Sequence, residues 1–477
     1  MKFMGIVVSV SFLVLGTVAV QSLPKAQEPL RTDPNAVSRT RIPRMTGMVG
    51  VGKAASQGSG GATVTATTTT PEAEEFIAIY PTNPNNSVAV ISDFSLRLGS
   101  NTTKYAVSFN NGAAGTWFEH FVPLRNQMPT TADGYTWDFN SNPVVAIDRQ
   151  GNVYVSSLYF NGSNHANGIY VSVGRLTCSN LGITAATTFP VAANLEPTSL
   201  VEDDKDWLAV DNSSNPRTNG SVYVSWTRFS GGTNMILISR SVDRGRTWSA
   251  PLQVNNTWQN GAVQGSQVAV GPSGEVYVAY EGFFEGNKRQ HYLTKSTDGG
   301  NTFTPAQPIT PLFDELTFNS TYRKNSFPAL AVSPTNGDVS VVYADQPSSA
   351  KGADIEFITS RNGGATFSAP LTINTPSNGQ QFMPALTVDN SGIIHVSWFD
   401  TRHDLTGTAS YDIYAANSAD GGRAFSSNTR VTVNSIDAGN ASFIGDYGGI
   451  AASGGFAHPV WTSGGFNNGL LQTATLQ

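Results

Sequence analysis

The residues of this chain that could do chemistry stand in short polar clusters, each just before or just after a hydrophobic stretch. Before such stretches come Trp137-Asp138, Asp204-Lys205-Asp206-Trp207, Ser266-Gln267, Asn325-Ser326, Gln381 and Asp446-Tyr447; after them come Asp93, Arg228, Glu281, Asp345, Asp400 and Arg402. Carboxylates can move protons, guanidinium groups grip a carboxylate through paired hydrogen bonds, and aromatic faces cover a sugar ring, so this set is what recognition of an acidic sugar requires. Asp204 and Asp206 also offer hard oxygen ligands that would suit Ca2+, without the glycine-spaced alternation of an EF-hand loop. The six histidines show no HExxH or similar metal spacing. Charged residues at strand ends have a plainer use as well, in bonding neighbouring structural units.

The elements that position these clusters are repeats. Ser241-Val242-Asp243-Arg244-Gly245-Arg246-Thr247-Trp248 returns at Ser296 to Phe303, at Ser360 to Phe367 with Asn362 in place of the aspartate, and at Ser418 to Phe425. The starts lie 55, 64 and 58 residues apart, and a looser copy with an insertion runs from Ser108 to Trp117. Such a segment reads as a hairpin turn: the aspartate bonds nearby backbone N–H groups, glycine supplies a positive φ, and the aromatic tucks beneath. Asp243, Asp298 and Asp420 are therefore expected to be structural.

Upstream of each turn an apolar-small-apolar triplet precedes a turn and an alternating strand rich in Val, Tyr and Trp. The triplets begin at Ile77, Val145, Leu208, Val268, Leu330, Leu386 and Ile450, seven in all, with 373 residues over six intervals or about 62 each. That length suits four short strands plus turns, and small residues suit an innermost strand crowded against an axis. Four-stranded units of this size close radially, because each alone leaves its apolar faces uncovered. The expectation is an all-β chain forming a seven-bladed β-propeller over 72–477, with a parallel β-helix disfavoured because its repeats would be much shorter. The last unit has about three strands before Gln477, so a strand near Val64 is expected to complete it beside Leu470 to Thr475.

The first 22 residues carry the charge, apolar core and small-residue exit of a secretory signal peptide, which places the mature protein outside the cytoplasm, a lone membrane anchor being the alternative although about 16 apolar residues are short for a bilayer core; 23–71 reads as a low-complexity leader or linker in which a closing strand is expected. No later segment could span a membrane. Cys178 is the one cysteine, which excludes an internal disulfide. A net charge of −6, with no basic cluster beyond Arg39, Arg41 and Arg44, argues against nucleic acid as a partner.

The eight-residue turns look like Asp-boxes, and the chain from about 72 to 477 resembles the secreted, sialidase-like Asp-box (BNR) propellers. The resemblance implies a protein that acts on glycans, in the first instance a glycoside hydrolase cleaving terminal acidic sugars, without a cofactor. Non-catalytic carbohydrate- or protein-binding propellers and polysaccharide lyases share the architecture and stay open as alternatives. Sialidases themselves are six-bladed, so seven units depart from the pattern, and Arg41-Ile42-Pro43 lacks the aromatic residue that opens the family's motif. Carried over, the resemblance makes Tyr447 the nucleophile, Glu281 its base, Asp93 the acid/base, and Arg402 with either Arg289 or Arg323 the clamps on a substrate carboxylate, with no clear first arginine of the family's three. Arg228, Asp446 and Trp207 complete the expected binding surface.

Overall fold

A computed structural model describes residues 63–68, 72–94, 102–122, 134–135, 137–161, 164–177, 182–183, 187–195, 201–347, 352–404, 410–439, 441–464 and 469–477. The expected signal peptide, Arg41-Ile42-Pro43, Cys178 and most of the expected leader lie outside these residues.

The described strands form seven antiparallel sheets, one per triplet; six are built from strands consecutive in the chain, two of these with a short extra strand, and the seventh joins the first described strand to the last three. The innermost strands are Glu72–Ile79, Phe139–Ile147, Val201–Val210, Val263–Val270, Ala329–Val332, Gln381–Val388 and Gly449–Ser453. This is the seven-bladed propeller, and the six-bladed sialidase arrangement does not apply. Blades are numbered 1 to 7 in that order. The second strands are buried on both faces, as in Ile394–Asp400, because each blade is sandwiched between two others. Large aromatics fill these junctions: Trp226, Tyr280, Tyr343, Trp398 and Trp461 are almost fully buried.

Blade 7 is completed from the other end of the chain. Val64–Thr65 pairs antiparallel with Leu471–Thr473, Val64 opposite Thr473 and Thr65 opposite Gln472. The Ala66 amide then donates to the Leu471 carbonyl at 2.9 Å. The segment that follows is fastened to blade 1: Thr67 bonds Glu72, and both the Thr68 amide and its hydroxyl bond Glu119 at 2.9 and 2.7 Å.

In an up-and-down blade the third strand ends opposite to where the first begins, so the eight-residue turns sit on the far face from the inner strands' starting ends. Their bonding follows the sequence. Asp243 Oδ1 accepts from the Ser241 hydroxyl and from the amides of Arg246 and Thr247, while Oδ2 accepts from the Thr247 hydroxyl. Asn362 keeps the first role and reverses the second, donating its amide to Thr366 Oγ1 at 2.8 Å. The glycines are required by the preceding blade. Gly422 has φ +80°, and a Cβ there would stand 2.2 Å from the Phe357 ring of blade 5. Three of the turns are also tied to the preceding blade: Arg240 donates to the Gly299 carbonyl, Lys295 to that of Gly363 and Arg361 to that of Gly421.

Asp243→Ala removes all the carboxylate bonds of one turn, and the expected cost is about 0.5–2 kcal/mol, the scale of a lost capping side chain. Chemical denaturation measures it. Because the turn faces away from the inner-strand starts, ligand binding there should be unchanged; a fully stable variant that has lost binding would contradict this placement.

Candidate functional site

Five of the inner strands are interrupted by a β-bulge at one equivalent place, three residues before the triplet. The bulged residues, Glu74, Asn142, Lys205, Gly265 and Met383, all have positive φ. Only one is glycine. Holding Glu, Asn and Lys in that conformation costs free energy, and such residues collect where a side chain must be re-aimed. Tyr447 occupies the same place in blade 7, three residues before Ile450.

The re-aimed side chains meet around the channel mouth. Lys205 forms an ion pair with Asp446 and stands 3.8 Å from Glu74 Oε1. Arg323 grips Asp446 through Nε at 2.7 Å and through Nη2, and the Asn325 amide donates to the Asp446 backbone carbonyl at 2.8 Å. Asn142 Nδ2 donates to Asp204 Oδ1 at 2.6 Å. Glu74 Oε2 accepts from the Ser141 hydroxyl, the Ser92 hydroxyl and the Asn142 amide. The Trp207 ring meets that of Tyr447 edge-to-face at 5.5 Å, and Lys205 lies 5.7 Å from the centre of the Tyr447 ring. Ser141, Trp207, Arg323, Asn325 and Tyr447 are partly exposed, Arg323 with 34% of its side chain in solvent, as is Phe443, whose ring centre lies 4.5 Å from the Arg323 guanidinium.

Burial sets the protonation of this cluster. It pushes Asp206 up to about 8, with the Asp204 and Glu74 charges adding to the rise against the facing Ser156 hydroxyl. It pushes the Lys205 ammonium down to about 8, where Glu74 holds it up and Arg323 pushes it further down. The Tyr447 phenol is raised well above its ordinary value by burial and by Glu74, Asp206, Glu75 and Asp204 around it.

Asp206 carries a stability consequence. Its folded value lies above the ordinary 3.8, so its contribution is fully present below about pH 4 and is lost as pH rises to about 8. The melting temperature of Asp206→Asn, minus that of the wild type, should therefore grow across that window and level off above it. Parallel melting curves against pH would show that Asp206 does not titrate as described.

Of the residues expected from sequence, Tyr447, Asp446, Trp207, Arg323, Asp204 and Asp206 gather at or beside this mouth. The others stand with partners of their own. Arg228 holds Asp203 through two bonds of 2.7 Å. Glu281 lies 3.5 Å from both Arg289 and His291, and Arg289 also pairs with Glu315. Arg402 bonds Asp400 and stacks 4.1 Å from the Tyr414 ring centre. Asp93 lies 3.5 Å from Lys104. The Tyr447 hydroxyl donates to the Pro143 carbonyl at 3.2 Å.

The Asp203 to Asp206 run does not gather into an oxygen cage. Asp203 turns to Arg228, Asp204 to Asn142 and Asp206 toward Ser156. Among the described residues no group of three or more His, Cys, Asp or Glu side chains could hold a metal ion. No described helix is long and apolar enough to cross a membrane.

Sequence reasoning passed over Glu74 and Asn142 and treated Lys205 only as part of an acidic run. A signal was there: counting three residues back from the seven triplets gives the polar residues Glu74, Asn142, Lys205 and Tyr447, alongside Gly265, Phe327 and Met383.

No protein-family model matches the chain, and no curated protein matches it. Among solved structures it is similar to a Hadza microbial sialidase, Hz136, at 13% identity over 79% of this chain and 73% of that one, with a TM-score of 0.45. It is similar to the GH93 α-L-arabinofuranosidase of Fusarium graminearum at 13% identity over 75% and 97% of the two chains, with a TM-score of 0.48. It is also similar to the polysaccharide lyase Uly1 at 11% identity over 84% and 89%, with a TM-score of 0.47.

Proposed function

We propose that this propeller is a glycan-acting protein whose channel mouth takes the end of a neutral, hydroxyl-rich sugar chain. The observation that carries this reading is the charge balance of the mouth. Lys205 and Arg323 face Asp446, Glu74 and Asp204, two cations against three carboxylates, while Asp206 keeps its proton to about pH 8. An acidic ligand would meet no surplus positive charge. Hydroxyl groups can share bonds with both members of such ion pairs, and the exposed parts of Trp207 and Tyr447 supply ring faces and edges for the apolar side of a sugar.

Sialidase-like hydrolysis of a terminal acidic sugar is the second reading. Glu74 and Asp204 beside Tyr447 favour it, since a phenol nucleophile needs a carboxylate partner. The bond from the Tyr447 hydroxyl to Pro143 weighs against it.

Saturation-transfer NMR with methyl glycosides of galactose, glucose and xylose and with N-acetylneuraminic acid, alongside turnover of a fluorogenic sialoside, separates the two. The neutral reading expects transfer to a neutral glycoside that is lost in Arg323→Ala, and no sialoside turnover. Turnover that disappears in Tyr447→Phe would establish the second reading instead. No transfer to any sugar together with no turnover removes both.

A further inference from the structure

We propose that Trp258 is a second saccharide-binding platform, separate from the mouth, which stacks against an uncharged sugar ring of a polysaccharide. The reading of the mouth is not needed for it. Five of the eight tryptophans are almost fully buried, whereas Trp258 is 67% exposed. Leaving so much indole in water forgoes a large burial gain, and the ring is not there by default of space.

It is held firmly. Trp258 lies in the single turn Thr257–Gln259, on the connection from the outermost strand of blade 3 to the innermost strand of blade 4. The Asn256 amide donates to Gln259 Oε1 at 3.0 Å, the Tyr280 hydroxyl donates to the same oxygen at 2.7 Å, and Asn256 Nδ2 donates to the Ala306 carbonyl at 2.9 Å. Tyr280 and Tyr292 stack at 5.7 Å, and Trp258 meets Tyr292 edge-to-face at 6.2 Å and 74°. The three rings make a column running from the blade interior to the surface, so the indole is oriented before any ligand arrives.

Its surroundings select the ligand. Residues 251–263 contain no charged side chain. They do contain carboxamides within a few residues of Trp258: the exposed Asn260 accepts from Gln253 at 2.7 Å and from Asn255 at 3.0 Å. Amides offer a donor and an acceptor at fixed spacing, which matches vicinal hydroxyl groups. Of the other exposed large apolar residues among those described, only Leu252 shares this segment; Leu195, Val242, Leu312 and Leu371 lie elsewhere in the chain. One flat ring on an uncharged, amide-bearing segment is far smaller than the contiguous patch a protein partner would need, and it is the size of a sugar. The connection opens an inner strand, as the mouth residues do, so the platform lies on the mouth-side face of the ring.

Affinity electrophoresis in native gels containing arabinan, xylan, galactan or mixed-linkage β-glucan tests this with wild type, Trp258→Ala and Arg323→Ala. The wild type should be retarded in at least one of the four gels. Trp258→Ala, with an unchanged melting temperature, should lose the retardation, equivalent to weakening of about tenfold or more for a lost aromatic anchor. The Arg323→Ala arm reports on the mouth alone. A wild type that runs as freely in all four gels as in a blank, or retardation that survives Trp258→Ala, overturns the proposal.

Discussion

A chain from which residues 63–68 have been removed should melt roughly 10 °C or more below the intact protein, a shift that in a ring of this size corresponds to several kcal/mol. The deletion takes away the fourth strand of blade 7, with its pairing to Leu471–Thr473. It also takes away Thr67 and Thr68, which bond Glu72 and Glu119 of blade 1. Leu471, whose amide donates to Glu72 Oε2 at 3.0 Å, would then be the remaining end of a broken seam. The seam matters more than its two-residue strand suggests, because it joins the two ends of the chain and every other blade junction depends on a closed circle. Differential scanning calorimetry measures the effect, and an unchanged melting temperature would mean that blades 7 and 1 hold together without the closing strand.

Lys104→Met should destabilise the protein by about 3–5 kcal/mol, the cost of stripping one partner from a buried ionic group. Lys104 is fully buried. It pairs with Glu72, lies 2.6 Å from Glu119 and 3.5 Å from Asp93. Burial alone would push its proton off; the charges of Glu72, Glu119 and Asp93 outweigh that and hold the ammonium above its ordinary value. Without it, those carboxylates keep their burial and lose the charge that balances it. Burial already raises Glu72 to about 7 against the pull of Lys104. Adding Glu72→Gln to Lys104→Met should recover part of the loss, and equilibrium unfolding in guanidinium chloride reads both variants. A single variant as stable as the wild type would refute the role given to the cluster.

Much of the fold could be read from the sequence because a propeller repeats its instructions. The triplets at Ile77 through Ile450 mark inner strands through their small central residues, and the turns at Ser241, Ser296, Ser360 and Ser418 mark third-strand ends through local hydrogen bonding that needs only eight residues. The closing strand followed from a deficit in the last unit. The site was less legible, since its bonds are not local: Lys205 and Asp446 are 241 residues apart, and Arg323 reaches the same carboxylate from blade 5's approach segment. Strand-end position brought Tyr447, Asp446, Trp207 and Arg323 to one place. It could not show that Arg228, Arg289 and Arg402 each answer a carboxylate close to their own blades, nor that Glu74, Asn142 and Lys205 adopt a positive φ usually left to glycine.

The three cross-blade bonds from Arg240, Lys295 and Arg361 occupy consecutive junctions, from blade 3 through blade 6. The circle therefore has a riveted arc and a clasp. Pulled apart by its two ends in an optical trap, the molecule would yield first at the clasp, where Val64–Thr65 peels from Leu471–Thr473 two residues at a time. A ring made of similar parts thus has a built-in first point of failure, at the seam where its two ends meet.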